Sequence, residues 1–299
     1  QQNGALSQRR DLNNMNAQAG TERRPDEIHS LDVKGQRLRV AVRPGNGTRI
    51  PLLLLNGIGV SLEVFQPFID ELNPDVEVIR FDVPGTGGSP RSTMPYRFST
   101  LAYWIKDILN QFGYTQVDVL GISWGGGLAQ QFAFQYRQRC RRLILVSTAT
   151  GSLMVPGRPS VLAKMATPRR YQDPTYMAEI APDIYGGDLQ SNPEFVRHMS
   201  HAMHSNEPLS YFYQLMAAMG WTSLPWLKLL RQPTLILAGD DDPIVPAINA
   251  KIMHQLIPFS QLHIYHGGHL GLLTHAQELI ALIEEFLSAE MGNARGRSF

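Results

Sequence analysis

The stretch Gly121-Ile122-Ser123-Trp124-Gly125 carries the pattern Gly-x-Ser-x-Gly and decides how the rest of the chain is interpreted. The stretch Val117-Asp118-Val119-Leu120 before it is typical of a short buried strand, and the residues from 126 to 133 after it predict a helix. A serine on a sharp turn between a strand and a helix presents its hydroxyl above the sheet, and the flanking glycines leave room for the crowded backbone. This context favours a nucleophilic serine at position 123 over a chance match of five residues.

The composition is that of a globular protein and argues against several functional classes. The chain has 299 residues, of which 43% are hydrophobic and 18% are charged. Its net charge of +1 gives no electrostatic reason to expect nucleic-acid binding. The single cysteine, Cys140, excludes an intrachain disulfide and a cysteine metal site, and we interpret it as a structural thiol. No apolar run reaches the length that spans a membrane, so no membrane span is expected.

Strand-like and helix-like segments alternate on both sides of the serine. Strands are predicted at 28–33, 36–43, 51–55, 76–81, 117–120, 143–146, 233–237 and 261–265, and apolar stripes of helical spacing lie at 62–72, 101–112, 248–256 and 279–287. The first two strands flank Lys34-Gly35 and predict an antiparallel hairpin. The alternation predicts an α/β fold with a mostly parallel central sheet and helices on both faces.

The alternation of strands and helices is interrupted at residues 152–226. This segment lacks strand-like runs and contains many prolines and seven of the 11 methionines. We therefore predict an inserted helical lid at 152–226 and a core formed by 26–151 and 227–290. Residues 1–25 are rich in Gln, Asn, Arg and Ala and lack the apolar segment of a secretory signal, so they are predicted to be a disordered tail. Residues 291–299 are predicted to be a flexible tail. A cytoplasmic location is expected, with secretion as the alternative.

A nucleophilic serine needs a base, and the base needs a carboxylate that orients it. In an open parallel sheet such groups lie after the carboxyl ends of strands. Asp240, Asp241 and Asp242 follow the strand at 233–237, and His266 and His269 follow the strand at 261–265. The order Ser, Asp, His is that of α/β-hydrolases.

The surrounding residues separate these candidates. Gly239-x-x-Asp242-x-x-x-Pro246 matches the turn in which α/β-hydrolases usually carry the acid, which favours Asp242 and leaves Asp241 second. The small-residue loop Gly267-Gly268-His269 favours His269 as the base, and His266 is interpreted as a supporting or surface residue.

The oxyanion formed during acyl transfer needs two backbone N–H donors. We predict that Trp124 supplies one and that Ile58 supplies the other, from the turn Asn56-Gly57-Ile58-Gly59. A dinucleotide-binding interpretation of this turn fails because Leu62 stands where a third glycine is required. The loop from 82 to 89 resembles a hydrolase loop, and we interpret it as a structural turn.

His198, His201 and His204 repeat every three residues in the predicted lid. Three imidazoles can hold a metal, but side chains at this spacing on a helix do not converge on one point. We therefore expect no metal, and nothing in the sequence calls for a cofactor.

Several longer motifs extend the pattern beyond the candidate triad. They are Leu55-Asn56-Gly57-Ile58-Gly59, Phe81-Asp82-Val83-Pro84-Gly85, Gly121-Ile122-Ser123-Trp124-Gly125-Gly126, Met154-Val155-Pro156-Gly157, Ala181-Pro182-Asp183-Ile184-Tyr185-Gly186-Gly187 and Gly220-Trp221-Thr222-Ser223. With these motifs the chain, from about Leu31 to Phe286, resembles the intracellular medium-chain-length poly(3-hydroxyalkanoate) depolymerases of the α/β-hydrolase superfamily. The last three motifs lie in the predicted lid, which ordinary hydrolases do not share.

The resemblance implies a serine ester hydrolase that cleaves aliphatic polyester through an acyl-enzyme, with Ser123, Asp242 and His269 as its triad. It also implies a polyester polymer or granule surface as partner, and a cytoplasmic location at such granules. Asn56, Met154 and Trp221 are expected to contact substrate. Gly271 stands where a bulkier residue is expected, so the shape of the pocket is predicted to differ there.

Two other functions stay open. One is a carboxylesterase or lactonase of small soluble esters with the same triad. The other is a non-catalytic ligand receptor or granule-binding protein on the same fold. A polymer synthase is disfavoured, because those related enzymes use cysteine where this chain has Ser123. Polymer side-chain length, endo or exo attack and oligomeric state are left open by the sequence.

Overall fold

The computed structural model describes residues 24–167, 169–202 and 208–289. Within these ranges eight strands form one sheet in the order β1-β2-β4-β3-β5-β6-β7-β8. The strands are β1 (Glu27–Val33), β2 (Gln36–Arg43), β3 (Leu52–Leu55), β4 (Val78–Phe81), β5 (Val117–Ile122), β6 (Cys140–Val146), β7 (Thr234–Gly239) and β8 (Ser260–Tyr265).

The pairing of the strands confirms the predicted mostly parallel sheet. β1 and β2 form the expected antiparallel hairpin, β2 pairs antiparallel with β4, and all further pairs are parallel. Every residue of β3, β4, β5 and β7 is buried, as expected for strands covered on both faces. Leu55 at the end of β3 lies opposite Gly121 of β5, so the turns that follow these two strands are neighbours.

Helices connect the strands and cover the sheet. Outside the segment between β6 and β7, the α-helices are Gln66–Glu71, Phe98–Gln111, Trp124–Gln135, Ile248–Leu256, Gly271–Thr274 and Ala276–Ser288. Helix Phe98–Gln111 packs against Trp124–Gln135, and Gln66–Glu71 packs against Ala276–Ser288. None of the described helices combines the length and the apolar character that crossing a bilayer requires.

The chain between β6 and β7 is helical in its described part. Its α-helices are Pro159–Ala166, Arg169–Gln172, Pro174–Tyr185, Pro193–Ala202 and Pro208–Ala218, with 3-10 helices at Gly187–Ser191 and Leu224–Leu229. A single antiparallel bridge between Gly151 and Thr222 joins the two ends of this segment. Some of its methionines, such as Met177 and Met199, are buried, whereas Met219 is 67% exposed.

The two predicted tails lie almost wholly outside the described residues. Of residues 1–25, only Arg24 and Pro25 are described, and the Arg24 guanidinium donates a 3.0 Å hydrogen bond to the Gly45 carbonyl. Residues 291–299 lie outside the described ranges.

Strand β6 begins at Cys140, three residues before the predicted start at position 143. Arg141 and Arg142 made the sequence of this stretch look polar, but both side chains form hydrogen bonds at the edge of the core. The Arg141 guanidinium binds both carboxylate oxygens of buried Asp118, and Arg142 donates to the carbonyl of Leu287. Cys140 itself is buried, and burial raises the pKa of its thiol, in keeping with a structural role.

Candidate functional site

Ser123 follows β5 directly and is the residue at which helix Trp124–Gln135 begins. Its backbone angles, φ +54° and ψ −118°, lie in a region that residues other than glycine rarely adopt. Three hydrogen bonds hold this conformation. Its N–H donates to the Val146 carbonyl, and its own carbonyl accepts from the Gly126 N–H and from the Thr148 hydroxyl at 2.7 Å.

The glycines of the motif allow the strand and the helix to approach each other closely. A Cβ on Gly121 would lie 2.4 Å from the carbonyl oxygen of Gly125. A Cβ on Gly125 would lie 2.2 Å from the carbonyl oxygen of Leu55 at the end of β3. Both distances are far below van der Waals contact, so side chains at these positions would displace the turn that carries Ser123.

Asp242 lies in the turn after β7 and pairs with His269, which follows β8. The Oδ2 atom of Asp242 is 2.7 Å from Nδ1 of His269, and both side chains are buried. Its Oδ1 atom accepts the N–H groups of Ile244 and Val245, each at 2.9 Å. The carboxylate is therefore fixed by backbone donors on one side and by the imidazole on the other.

The other acidic and histidine candidates lie nearer to solvent. His266 is 93% exposed in its side chain and lies 2.9 Å from the carboxylate of Asp240, and this hydrogen bond lowers the pKa of Asp240. Asp241 is also exposed, and it accepts the N–H of Gly187 at 2.9 Å. Of the three aspartates, Asp242 is the one whose carboxylate contacts His269.

One contact of His269 was not expected from the sequence. Its backbone N–H donates a 2.7 Å hydrogen bond to the carbonyl of Tyr185, the last residue of helix Pro174–Tyr185. The tyrosine and imidazole rings are nearly parallel, at 14°, with centroids 6.0 Å apart. The motif from 181 to 187 was noticed in the sequence only as part of a family resemblance, and nothing in its spacing indicated contact with the candidate base.

The glycines after Tyr185 interlock with the loop that carries His269. A Cβ on Gly268 would lie 2.1 Å from the carbonyl oxygen of Tyr185, and a Cβ on Gly187 would lie 2.6 Å from the amide nitrogen of Gly268. Gly186 and Gly187 both have positive φ, +64° and +63°. Glycine is therefore required at these positions for the inserted segment and the histidine loop to meet backbone to backbone.

The sequence predicted a difference in pocket shape at Gly271. In the structure, the ring of Tyr265 fills the space beside this glycine. A Cβ on this glycine would lie 2.3 Å from the phenol oxygen of Tyr265. That hydroxyl donates to the Gly268 carbonyl at 2.9 Å and lies 3.1 Å from Ser147 Oγ, and burial raises the pKa of Tyr265 to about 12. Among the described residues, Gly271 does not line the cavity beside Ser123; the ring of Tyr265 takes the space of the bulkier side chain expected there.

Ser123 lies in the wall of a cavity of about 370 Å³. Of the residues predicted from the sequence to act at the site, this cavity is lined by Ser123, Ile58, Trp124, Met154 and Trp221. Ile244 and Val245, whose N–H groups hold Asp242, line the same cavity. The structure therefore brings the serine, the turn of the acid and both predicted oxyanion donors to one apolar space.

Asn56, which was expected to contact substrate, is not among the described residues that line this cavity, and its contact with substrate stays a prediction. It is buried, and its side-chain amide donates to the carbonyl of Ser61 at 3.1 Å, which stabilises the turn after β3. That turn lies close to the serine, since a Cβ on Gly57 would be 3.8 Å from Ser123 Cβ. A further bond from the Gly59 N–H to the Gln214 side chain, at 2.8 Å, ties the turn to the inserted segment.

Three aromatic rings build one wall of the cavity. Phe98 contacts Trp124 and Trp221 edge to face, with centroid distances of 4.8 and 4.9 Å. Gly127, one turn into the helix after Ser123, leaves room for this cluster, because a Cβ there would lie 2.9 Å from the Phe98 ring. Sequence reasoning identified the two tryptophans but missed Phe98 and Gly127, which reach the site only through tertiary packing.

Two further predictions concern residues outside the cavity. The side chains of His198 and His201, and the whole of His204, lie outside the described residues; in the described part of the chain no group of His, Cys, Asp or Glu is arranged to hold a metal. The loop from 82 to 89 agrees with a structural turn. Buried Asp82 accepts the N–H groups of Leu62 and Gly88 and also binds Arg39.

Comparison with known proteins places this geometry in a family. The sequence profile of the family described as alpha/beta hydrolase fold matches residues 50–276. The chain is 48% identical, over 90% of its length and 95% of the relative, to a poly(3-hydroxyalkanoate) depolymerase of Ectopseudomonas oleovorans. It is 25% identical, over 80% of its length and 89% of the relative, to 3-oxoadipate enol-lactonase 2 of Acinetobacter baylyi.

Solved structures agree on the fold. The crystal structure of the enol-lactonase from Burkholderia xenovorans LB400 superposes with a TM-score of 0.77 at 20% identity, over 87% of this chain and all of that one. An esterase from Thermogutta terrifontis superposes with a TM-score of 0.71 at 25% identity, over 88% of this chain and 97% of that one. With a family profile over most of its length and a relative at 48% identity, the chain belongs to the α/β hydrolase family.

Proposed function

We propose that this protein is a serine ester hydrolase that depolymerises medium-chain-length poly(3-hydroxyalkanoate) to hydroxyacids or short oligomers. The observation that carries the proposal is the apolar cavity of about 370 Å³ with Ser123 in its wall and the Asp242 turn at its edge. The 48% identity to a depolymerase supports the choice of substrate.

The proposed reaction uses an acyl-enzyme. Ser123 attacks the ester carbonyl, and His269 takes the serine proton and then delivers it to the leaving alcohol. Asp242 accepts the Nδ1–H of His269, which fixes the tautomer with the other ring nitrogen available as base and stabilises the imidazolium that forms. Water then attacks the acyl-enzyme with the same histidine as base and releases the hydroxyacid.

The oxyanion is held by the backbone N–H groups of Ile58 and Trp124. Trp124 is the first residue of its helix, where backbone N–H groups point away from the helix and the dipole favours negative charge. Ile58 lies in the turn that Asn56 and Gln214 hold beside Ser123.

The segment 152–226 serves as the lid over this cavity. It contributes Met154, Leu162, Leu215, Met219 and Trp221 to the lining. These apolar side chains accept the alkyl arms of the polyester, and the flexible methionines adapt to arms of different length. Each methylene buried there contributes about 0.8 kcal/mol. The physiological partner is the surface of polyester granules in the cytoplasm.

The test is hydrolysis of amorphous medium-chain polyester granules, run beside a p-nitrophenyl ester series from acetate to dodecanoate. We expect granule turnover and a preference for chains of intermediate length over acetate. A protein that prefers acetate and leaves granules intact is a small-ester hydrolase, the function to which the enol-lactonase relative points. A folded protein that binds granules and cleaves no ester is a non-catalytic binding protein.

A further inference from the structure

A second cavity, of about 660 Å³, lies beside Trp221 and is lined in part by residues at the start of helix Phe98–Gln111. Trp221 and Met219 line both this cavity and the one that contains Ser123. We propose that the second cavity is a binding subsite for the neighbouring repeat of the same polyester chain, next to the repeat whose ester is cleaved at Ser123. This inference rests on the proposed function.

Two side chains of the described residues, Trp221 and Met219, border both cavities. One side of the Trp221 ring meets Phe98, which lines the first cavity, with centroids 4.9 Å apart. Its indole N–H donates to the side-chain carbonyl of Gln131, which lines the second cavity, at 2.8 Å. Met219, the other shared residue, is 67% exposed. A chain that passes over Met219 therefore meets both cavities without a long path across solvent.

The two cavities differ in chemistry in the way that a polyester repeat requires. The first is almost wholly apolar and suits an alkyl arm. The second is lined in addition by residues with polar side chains, among them Arg97 and Ser99 at the start of helix Phe98–Gln111. Each repeat of the polymer combines an alkyl arm with a carboxyl group, so adjacent apolar and polar spaces match adjacent parts of one chain.

Arg97 is the residue that recognises the carboxyl group. Its side chain is exposed, and none of the ion pairs in the described part of the chain includes it. A guanidinium binds carboxyl oxygens through a planar pair of N–H donors. The carboxyl group is either the ester carbonyl of an internal repeat or the free carboxylate at the end of a chain, and these sources differ in charge.

The experiment compares substrates that reach one cavity or both. p-Nitrophenyl octanoate fills only the cavity at Ser123, whereas a tetramer of 3-hydroxyoctanoate extends beyond it. The tetramer is tested both as the free acid and as the methyl ester, and the result is the ratio of its kcat/KM to that of p-nitrophenyl octanoate. The variants are Arg97→Gln, which removes the charge, and Ser99→Trp, which fills the cavity from an exposed position. Arg37→Gln and Thr115→Trp are matched controls at exposed positions that line neither cavity.

We expect Arg97→Gln to lower this ratio about 3- to 10-fold, the effect of losing one hydrogen bond to a charged group at a partly exposed site. Ser99→Trp should lower it at least as much, and both controls should keep the wild-type ratio. A larger loss for the free acid assigns Arg97 to the chain end, and equal losses assign it to an internal ester carbonyl.

A wild-type ratio in both cavity variants overturns the subsite. That outcome differs from failure of the proposed function, in which the wild-type protein itself does not cleave the tetramer.

Discussion

The backbone N–H of His269 donates to the carbonyl of Tyr185 at 2.7 Å, and the two rings face each other at 14°. Tyr185 ends a helix of the inserted segment, while His269 belongs to the hydrolase core. The orientation of the proposed base therefore depends on a residue outside the core, in addition to its carboxylate partner Asp242. In the proposed mechanism, the segment that covers the substrate would therefore also position the base.

Replacement of the Tyr185 ring is expected to disturb His269 without removing it. Tyr185→Leu should lower kcat about 10-fold with little change in KM, because small displacements of a catalytic group are costly. Tyr185→Phe keeps the ring and should retain most of the activity. Tyr176→Leu on the same helix is the matched control and should stay near wild type. Equal kcat in the Leu and Phe variants would show that the ring does not position the histidine.

Two substitutions of Ser123 distinguish the catalytic role of its hydroxyl from the strain in its backbone. Ser123→Ala should lower kcat by roughly 10³–10⁶, because triad members act as a unit. Ser123→Gly should be equally inactive yet more stable than the alanine variant by about 1 kcal/mol, since glycine adopts the observed φ of +54° without strain. Thermal unfolding of both variants measures the difference. Residual activity above about a tenth of wild type would refute the assignment of Ser123 as nucleophile.

The carboxylate that serves the triad is tested by two isosteric changes in one turn. Asp242→Asn should lower kcat up to ~10⁴-fold, a magnitude taken from serine proteases, because the amide favours the wrong imidazole tautomer. Asp241→Asn should cost little, since its carboxylate is exposed, accepts a backbone N–H from Gly187 and lies 4.0 Å from the exposed guanidinium of Arg158. Rate constants with p-nitrophenyl octanoate decide between them, and a greater loss at Asp241 would reverse the choice of acid.

Much of the core could be predicted from the sequence because its strands and helices carry clear apolar patterns, such as the continuous run Leu52–Leu55 of β3. The β1–β2 hairpin and helix Ile248–Leu256 agree with prediction to within one residue, since alternation and helical spacing were both clear. The start of β6 was missed because Arg141 and Arg142 made the sequence there look polar. In the structure, their guanidinium groups bind a buried carboxylate and a backbone carbonyl. The strand propensity of a short stretch cannot indicate such hydrogen-bond partners, because they lie far away in the sequence.

The candidate site likewise contains some residues that a local sequence pattern could predict and others that it could not. Because Asp242 and His269 both follow the carboxyl ends of predicted parallel strands, the sequence predicted that they would lie close together, and their side chains are 2.7 Å apart. Tyr185 and Phe98 were not predicted as site residues, because they come from helices whose packing depends on many weak contacts rather than on a local pattern. Asn56 was predicted from its motif to contact substrate, which stays a prediction, whereas the hydrogen bond of its amide nitrogen to the Ser61 carbonyl could not be predicted from the motif.

The ion pair between Arg141 and Asp118 gives stability a defined dependence on pH. Burial raises the pKa of Asp118 despite the opposing effect of Arg141, so the folded state binds the proton more tightly than the unfolded state. Arg141→Met removes the compensating charge and should cost about 3–5 kcal/mol near pH 7. Its stability deficit relative to wild type should shrink as the pH falls toward 5, because protonation then removes the unpaired charge.

The control for this prediction is the double variant Arg141→Met, Asp118→Asn, which carries no buried carboxylate at this place. Its stability relative to wild type should change less with pH than that of the single variant. Urea unfolding of all three proteins at pH 5, 6 and 7 makes the comparison. A deficit of the single variant that grows toward pH 5 would contradict the sign of the Asp118 shift.

The length of chain accepted by the cavity should depend on Gly127. In Gly127→Ala the new methyl group meets Phe98 at 2.9 Å and Trp221 at 3.2 Å, so these rings must move into the cavity. We expect kcat/KM for octanoate and decanoate to fall several-fold, with acetate nearly unaffected, because each methylene excluded costs about 1–3 kcal/mol at most. A uniform loss across the p-nitrophenyl series would indicate damage to the catalytic groups instead.

The contact between Gly271 and Tyr265 also restricts how these two positions can change during evolution. A side chain at 271 and a tyrosine ring at 265 exclude each other, since a Cβ would lie 2.3 Å from the phenol oxygen. A lineage can exchange one for the other only if the ring shrinks before the glycine grows. Relatives with a bulky residue at the equivalent of 271 should therefore carry a small residue at the equivalent of 265, and ancestors between the two states should have had both small.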